Sequence, residues 1–172
     1  SEEIVAWARN AHQWYQSSER TEDGFSFHLR GTVVSGIGDE DGHSNDDDLG
    51  AVDLPMVVQS DSRIMYAAVG TISNLVDIDT YRVRLPRDLP INSSLTVDIQ
   101  SLDYRGLVPG IRLVDHQGRD VNARVTANGY GLTQLQLDDP EPDGRYLVYL
   151  DGADVMDPFR SGNFALTIEV RE

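Results

Sequence analysis

Tyr81-Arg82-Val83-Arg84-Leu85 alternates apolar and charged residues with a period of two, which is the signature of a strand buried on one face only. The same alternation recurs along the chain in Phe25, Phe27 and Leu29, in Leu95, Val97 and Ile99, and in Val121, Ala123 and Val125. It returns in Tyr146, Val148 and Leu150, and Phe164, Leu166, Ile168 and Val170 close the chain with it. Turn signals fall between these runs: Pro86–Pro90, His116-Gln117-Gly118, Asn128-Gly129, Pro140–Gly144 and Ser161-Gly162-Asn163. Short alternating strands with frequent turns predict an all-β domain, an antiparallel β-sandwich of jelly-roll-like type. No βαβ unit or glycine-rich phosphate loop is present, which argues against a nucleotide-binding α/β fold.

Residues 1–23 break this pattern. Ile4, Trp7, Ala8, Ala11, Trp14 and Tyr15 recur at helical spacing, so an N-terminal amphipathic helix is expected, capped by Ser1 with Glu2 and Glu3 at its positive end. The stripe Ile4, Trp7, Ala11 and Trp14 either packs on this chain or docks on a neighbouring domain or an identical subunit, since Trp favours interfaces. Residues 24–44 read as a strand, Phe25–Val34, followed by an acidic loop. Phe25, Phe27 and Leu29 would pair that strand within its own sandwich or onto a neighbour's sheet edge, as in a self-assembling filament or surface layer.

The chain has 172 residues, 29 acidic and 14 basic, for a net charge of −15. That charge repels phosphate backbones and anionic headgroups, which excludes nucleic acid and membrane surfaces as partners. No apolar run reaches the roughly 18 residues of a membrane span, and no leader is visible, so any signal is expected either to have been cleaved or to lie outside this sequence. There is no cysteine and no lysine, which removes disulfides, thiol catalysis, Cys-type zinc sites and Schiff bases. No Gly-x-Ser-x-Gly elbow or His-Glu-x-x-His pair occurs. The histidines His12, His28, His43 and His116 are scattered without metal-ligand spacing, so no enzyme is expected. Tyr104 and Tyr130 are the loop aromatics available for a glycan- or fibre-binding role, and Asn92-Ser93-Ser94 is an N-glycosylation sequon.

Residues 39–48 read Asp-Glu-Asp-Gly-His-Ser-Asn-Asp-Asp-Asp. Calcium takes about six to eight oxygens, which clustered Asp around a Gly can supply. The spacing partly resembles an EF-hand or dockerin loop, with Asp39, Asp41, Gly42, Asn45 and Asp48 in register. Ile37 stands where the first ligand belongs, and no helices flank the segment. A solvated surface loop is the alternative.

Gly70-Thr71-Ile72-Ser73 is followed by Asp77-Ile78-Asp79-Thr80-Tyr81-Arg82-Val83. On these residues the chain from about residue 45 to 172 resembles the bacterial pre-peptidase C-terminal domain family, with its "D-x-D" strand. Leu95-Thr96-Val97, Ile111–Asp115 with Gly118, Gly144–Val148 and Gly162–Ile168 follow in family order. It implies a non-catalytic, extracellular or cell-surface module of a larger protein, serving adhesion, docking or spacing, with an extracellular polymer as a possible partner. Some relatives bind calcium between an acidic linker and Asp residues near the "D-x-D" strand. Carried across, that implies Asp77 and Asp79, with Asp46, Asp47 and Asp48 completing the shell. Asp77 and Asp79 lie two apart, so on an extended chain their carboxylates leave on one side. Capping of a turn through backbone N–H groups is the alternative for both.

Overall fold

A computed structural model describes residues 19–21, 24–29, 32–38, 47–60, 63–74, 76–103, 106–129, 131–152 and 160–172. Among these residues there are strands and turns and no helix, in two sheets. The expected N-terminal helix lies outside the described residues, as do Ile4, Trp7, Ala11 and Trp14.

The larger sheet has nine strands. Its centre is β6 (Arg63–Ile72), flanked by β13 (Gly162–Arg171), then β8 (Ser94–Ser101), β11 (Leu132–Asp138) and β10 (Arg124–Gly129), all antiparallel. On the other side of β6 stand β5 (Met56–Ser60), antiparallel to it, and a ribbon of β1 (Glu19–Thr21), β2 (Gly24–Leu29) and β3 (Thr32–Gly38). The smaller sheet runs β4 (Val52–Asp53), β7 (Ile78–Arg84), β12 (Arg145–Gly152) and β9 (Pro109–Asp115). The all-β sandwich read from the alternation is therefore the observed architecture. Two parallel contacts, β3 with β6 and β4 with β7, interrupt an otherwise antiparallel pattern.

The single strand expected at Phe25–Val34 is two strands. Phe25 pairs with Gly36 and Leu29 with Thr32, so the chain doubles back between β2 and β3. β3 then meets β6 of its own sheet through Ile37 opposite Ala68 and Gly38 opposite Val69. Val121 and Ala123 also differ from expectation: they pack on the core from a turn, and the strand begins at Arg124.

The two sheets close on one apolar core. Tyr81, Val83, Leu85, Val148 and Leu150 on the side of the small sheet share one buried cluster with Ile64, Tyr66, Ala68, Ile72, Val97, Ile99, Phe164, Leu166 and Ile168 of the large one. Each large side chain removed from water in this way contributes about 1.5–3 kcal/mol. The Tyr66 hydroxyl donates to the carbonyl of Arg84 at 2.6 Å, tying the large sheet to the small one. Burial pushes the Tyr66 phenol up to about 12, so it stays protonated and keeps donating.

Candidate functional site

β7 opens at the "D-x-D" pair, and its alternation decides where those carboxylates go. Asp79 stands opposite Leu150, a core residue, and directly opposed residues share a face, so Asp79 points to the inner side. Asp77 and Asp79 are each 2% exposed. The Ser73 N–H donates to Asp77 Oδ2 at 2.5 Å, and the Asp77 N–H reaches back to the Asn74 carbonyl at 3.4 Å. Asp77 thus closes the turn between β6 and β7, which is the capping role.

The described end of the acidic segment lies on the other side of that sheet. Asp47 Oδ1 accepts from the N–H groups of Leu49 at 3.0 Å and Gly50 at 2.8 Å, an Asx turn leading towards β4. Asp48 accepts a hydrogen bond from the Tyr149 hydroxyl. Tyr149 stands opposite Thr80, out of register with the core residues Val148 and Leu150, and so lies on the outer face. Asp48 and Asp79 therefore flank opposite faces of one sheet and do not join a common donor set. Among the described residues no three His, Asp or Glu side chains form a metal-binding group. Asp39, Asp41, Asn45 and Asp46 lie outside the described residues, as do Tyr104 and Tyr130.

Around Tyr149 the outer face carries a cluster that reading the strands for their apolar positions passed over. The Arg112 guanidinium sits 4.4 Å from the centre of the Tyr149 ring, a cation–π contact. Arg82 donates to Asp53 Oδ1 at 2.9 Å and to the carbonyl of Asp48 at 3.1 Å. Thr80 is wholly buried beneath this group. Burial and then the Asp48 carboxylate raise the Tyr149 phenol, keeping its proton on oxygen as a donor. The signal was present in the alternation: once Tyr146, Val148 and Leu150 face inward, Tyr149 must face outward.

The remaining charged groups secure turns. Asp115 Oδ1 accepts from the N–H groups of Gln117 at 2.8 Å and Arg119 at 3.0 Å, while its Oδ2 holds the Arg119 Nε at 2.7 Å. These bonds, led by the Arg119 side chain, lower Asp115 to about 2. Arg84 holds Asp143 at 2.8 Å and lowers it likewise, with Arg87 adding to the effect from 3.4 Å. Asp103 Oδ2 accepts from the Asn163 N–H at 2.7 Å, fastening the loop after β8 to the start of β13. Asp151 is shifted up, by burial, against the opposing pull of Arg160 and Arg112.

The fold has likenesses among solved structures. No family model matches the chain, and no curated protein matches it. It is similar to the pre-peptidase C-terminal domain of a collagenase from Bacillus anthracis, with 14% identity, a TM-score of 0.43, and coverage of 59% of this chain and 86% of that one. It is also similar to PliG, a periplasmic inhibitor of g-type lysozyme, from Aeromonas hydrophila, at 14% identity and a TM-score of 0.39 over 70% of this chain and 96% of that one. The Salmonella Typhimurium PliG gives 15% identity and a TM-score of 0.40 over 70% of this chain and 97% of that one. Likenesses this distant carry no role over to this chain.

Proposed function

We propose that this chain is a non-catalytic β-sandwich module of a larger secreted or cell-surface protein, serving adhesion, docking or spacing. The observation that supports it is where the described charges are spent. Asp77, Asp103, Asp115 and Asp143 hold turns, and Arg63, Glu169 and Arg171 form a cross-strand ion cluster on the large sheet. A general acid or base works best with a pKa near the operating pH. Arginine partners drive Asp115 and Asp143 the other way. The net charge of −15 favours cationic or neutral partners over nucleic acid.

Calcium enters this reading as a brace, with the buried Asp77 and Asp79 as ligands at the start of β7 and the acids of residues 39–46 as the remaining donors. Asp48 does not fit that set, because Tyr149 engages it on the opposite face. The test is thermal melting of the same sample in chelator and in millimolar calcium. A ligand bound only by the folded state at 100 times its Kd stabilises by about 2.7 kcal/mol, so melting should rise in calcium. Asp79→Asn should abolish the rise. Identical melting curves in the two buffers would remove the brace.

A second reading, a self-assembling subunit, is favoured by one specific feature. Among the described residues the β1–β3 ribbon pairs with β6 at two opposed positions, Ile37 with Ala68 and Gly38 with Val69. An element so lightly attached can exchange into the sheet of another copy.

A further inference from the structure

Asn92 is the one asparagine in the chain with Ser or Thr two positions on, and the residue between, Ser93, is not proline. Such a triplet can take an N-linked glycan only where it stands at the surface, so its place in the fold decides its use. Asn92 is exposed, in the turn that precedes β8, beside the exposed Ile91. Its φ of 63° is left-handed, a conformation that Asn adopts more readily than most side chains. Ser93 is buried: its hydroxyl donates to the Pro90 carbonyl at 2.6 Å, and its own carbonyl accepts from the Asp139 N–H at 3.0 Å. Ser94 is half-buried at the first position of β8, opposite Asp138 and Arg171. Among the described residues no hydrogen bond engages the Asn92 side-chain amide or the Ser94 hydroxyl. The middle residue therefore anchors the turn, and the two residues that define an acceptor are not spent on holding the fold.

We propose that Asn92 is an N-glycan attachment site, its donor a lipid-pyrophosphate-linked oligosaccharide. In the transfer the Asn92 Nδ2 attacks the first sugar carbon. A carbon–nitrogen bond forms there and the carbon–oxygen bond to pyrophosphate breaks. The lipid pyrophosphate leaves with the bonding pair, and Nδ2 gives up one proton. β7 runs seven residues from the Asp77 turn to Arg84, so the Asn92 turn lies at the other end of that strand, about 20 Å away. A glycan is bulky and hydrophilic, so it keeps its own end of the sandwich in solvent and leaves the Asp77 end uncovered. Contacts with the rest of a larger protein then fall to the other surfaces. Meeting such a donor in the cell rests on the secreted reading above, whereas the acceptor chemistry of Asn92 does not.

Supplying the donor directly separates the two. The folded, purified chain is mixed with a lipid-linked oligosaccharide and an oligosaccharyltransferase that requires only the Asn-x-Ser/Thr triplet, under conditions that glycosylate a free acceptor peptide. Intact mass should show one oligosaccharide added per chain. Peptide N-glycosidase should remove it and convert the attachment residue to aspartate, which peptide mapping should place at position 92. Asn92→Asp keeps a side chain suited to positive φ and should abolish the addition. Ser94→Ala should abolish it too, whereas Ser94→Thr should retain it, with every variant required to melt like the parent. A parent chain left unmodified while the free peptide is glycosylated would overturn the proposal, and so would a glycan that persists in Asn92→Asp. Transfer to Asn92 in a chain that then proves not to be secreted would uphold the acceptor and remove the secreted reading instead.

Discussion

Replacing Phe164 with alanine is expected to cost about 3–5 kcal/mol, the usual range for removing a large aromatic ring from a core that cannot collapse around the gap. Phe164 has no exposed surface and sits where β13 and β6 face β7. Its ring meets that of Tyr81 edge-on, with centroids 6.2 Å apart and planes at 81°, a geometry that adds to simple area burial. Domains of this size are stable by only about 5–15 kcal/mol, so the variant should lose a large share of the total. Urea unfolding measures this as a lower midpoint with an unchanged slope. A loss under about 1 kcal/mol would mean that the two sheets do not meet at this ring.

Gly70→Ala is the second large effect, and its cause is space rather than backbone conformation. A Cβ at position 70 would stand 2.6 Å from Phe164 Cζ and 2.7 Å from the Tyr81 hydroxyl oxygen. One or both rings must move, and overpacking of this kind costs about 1–3 kcal/mol. The same contact predicts coupling. In a double-mutant cycle, Phe164→Leu should absorb part of the added methyl, leaving an interaction of about 0.5–3 kcal/mol between the two sites. Strict additivity in the urea midpoints would contradict the contact.

Strands that alternate were legible and strands that do not were missed, and the reason is burial. Tyr81–Leu85 and Tyr146–Leu150 turn one face to the core and carry charge or a hydroxyl on the other, so their period shows. β6 reads Ile64-Met65-Tyr66-Ala67-Ala68-Val69, apolar throughout, because both of its faces are covered. Gly70 was legible as a landmark of the family resemblance, and the structure supplies its physical reason in the two rings beside it. At the candidate site, spacing put Asp77 and Asp79 on one side of an extended chain; in the structure both are buried, Asp77 in the turn before β7 and Asp79 within it. Spacing could not show that Asp48 would meet Tyr149 on the other face, because that contact joins residues 101 positions apart. Periodicity likewise read residues 25–34 as one strand, since reversal between Leu29 and Thr32 leaves the apolar alternation of Phe25, Phe27 and Leu29 untouched.

Light scattering of the purified chain, with calcium titrated into a chelated sample, tests the central claim most directly. A self-contained module should hold the mass of one chain throughout the titration. Growth into large particles as calcium is added would contradict it, and would make the lightly attached β1–β3 ribbon an assembly element exchanged between copies.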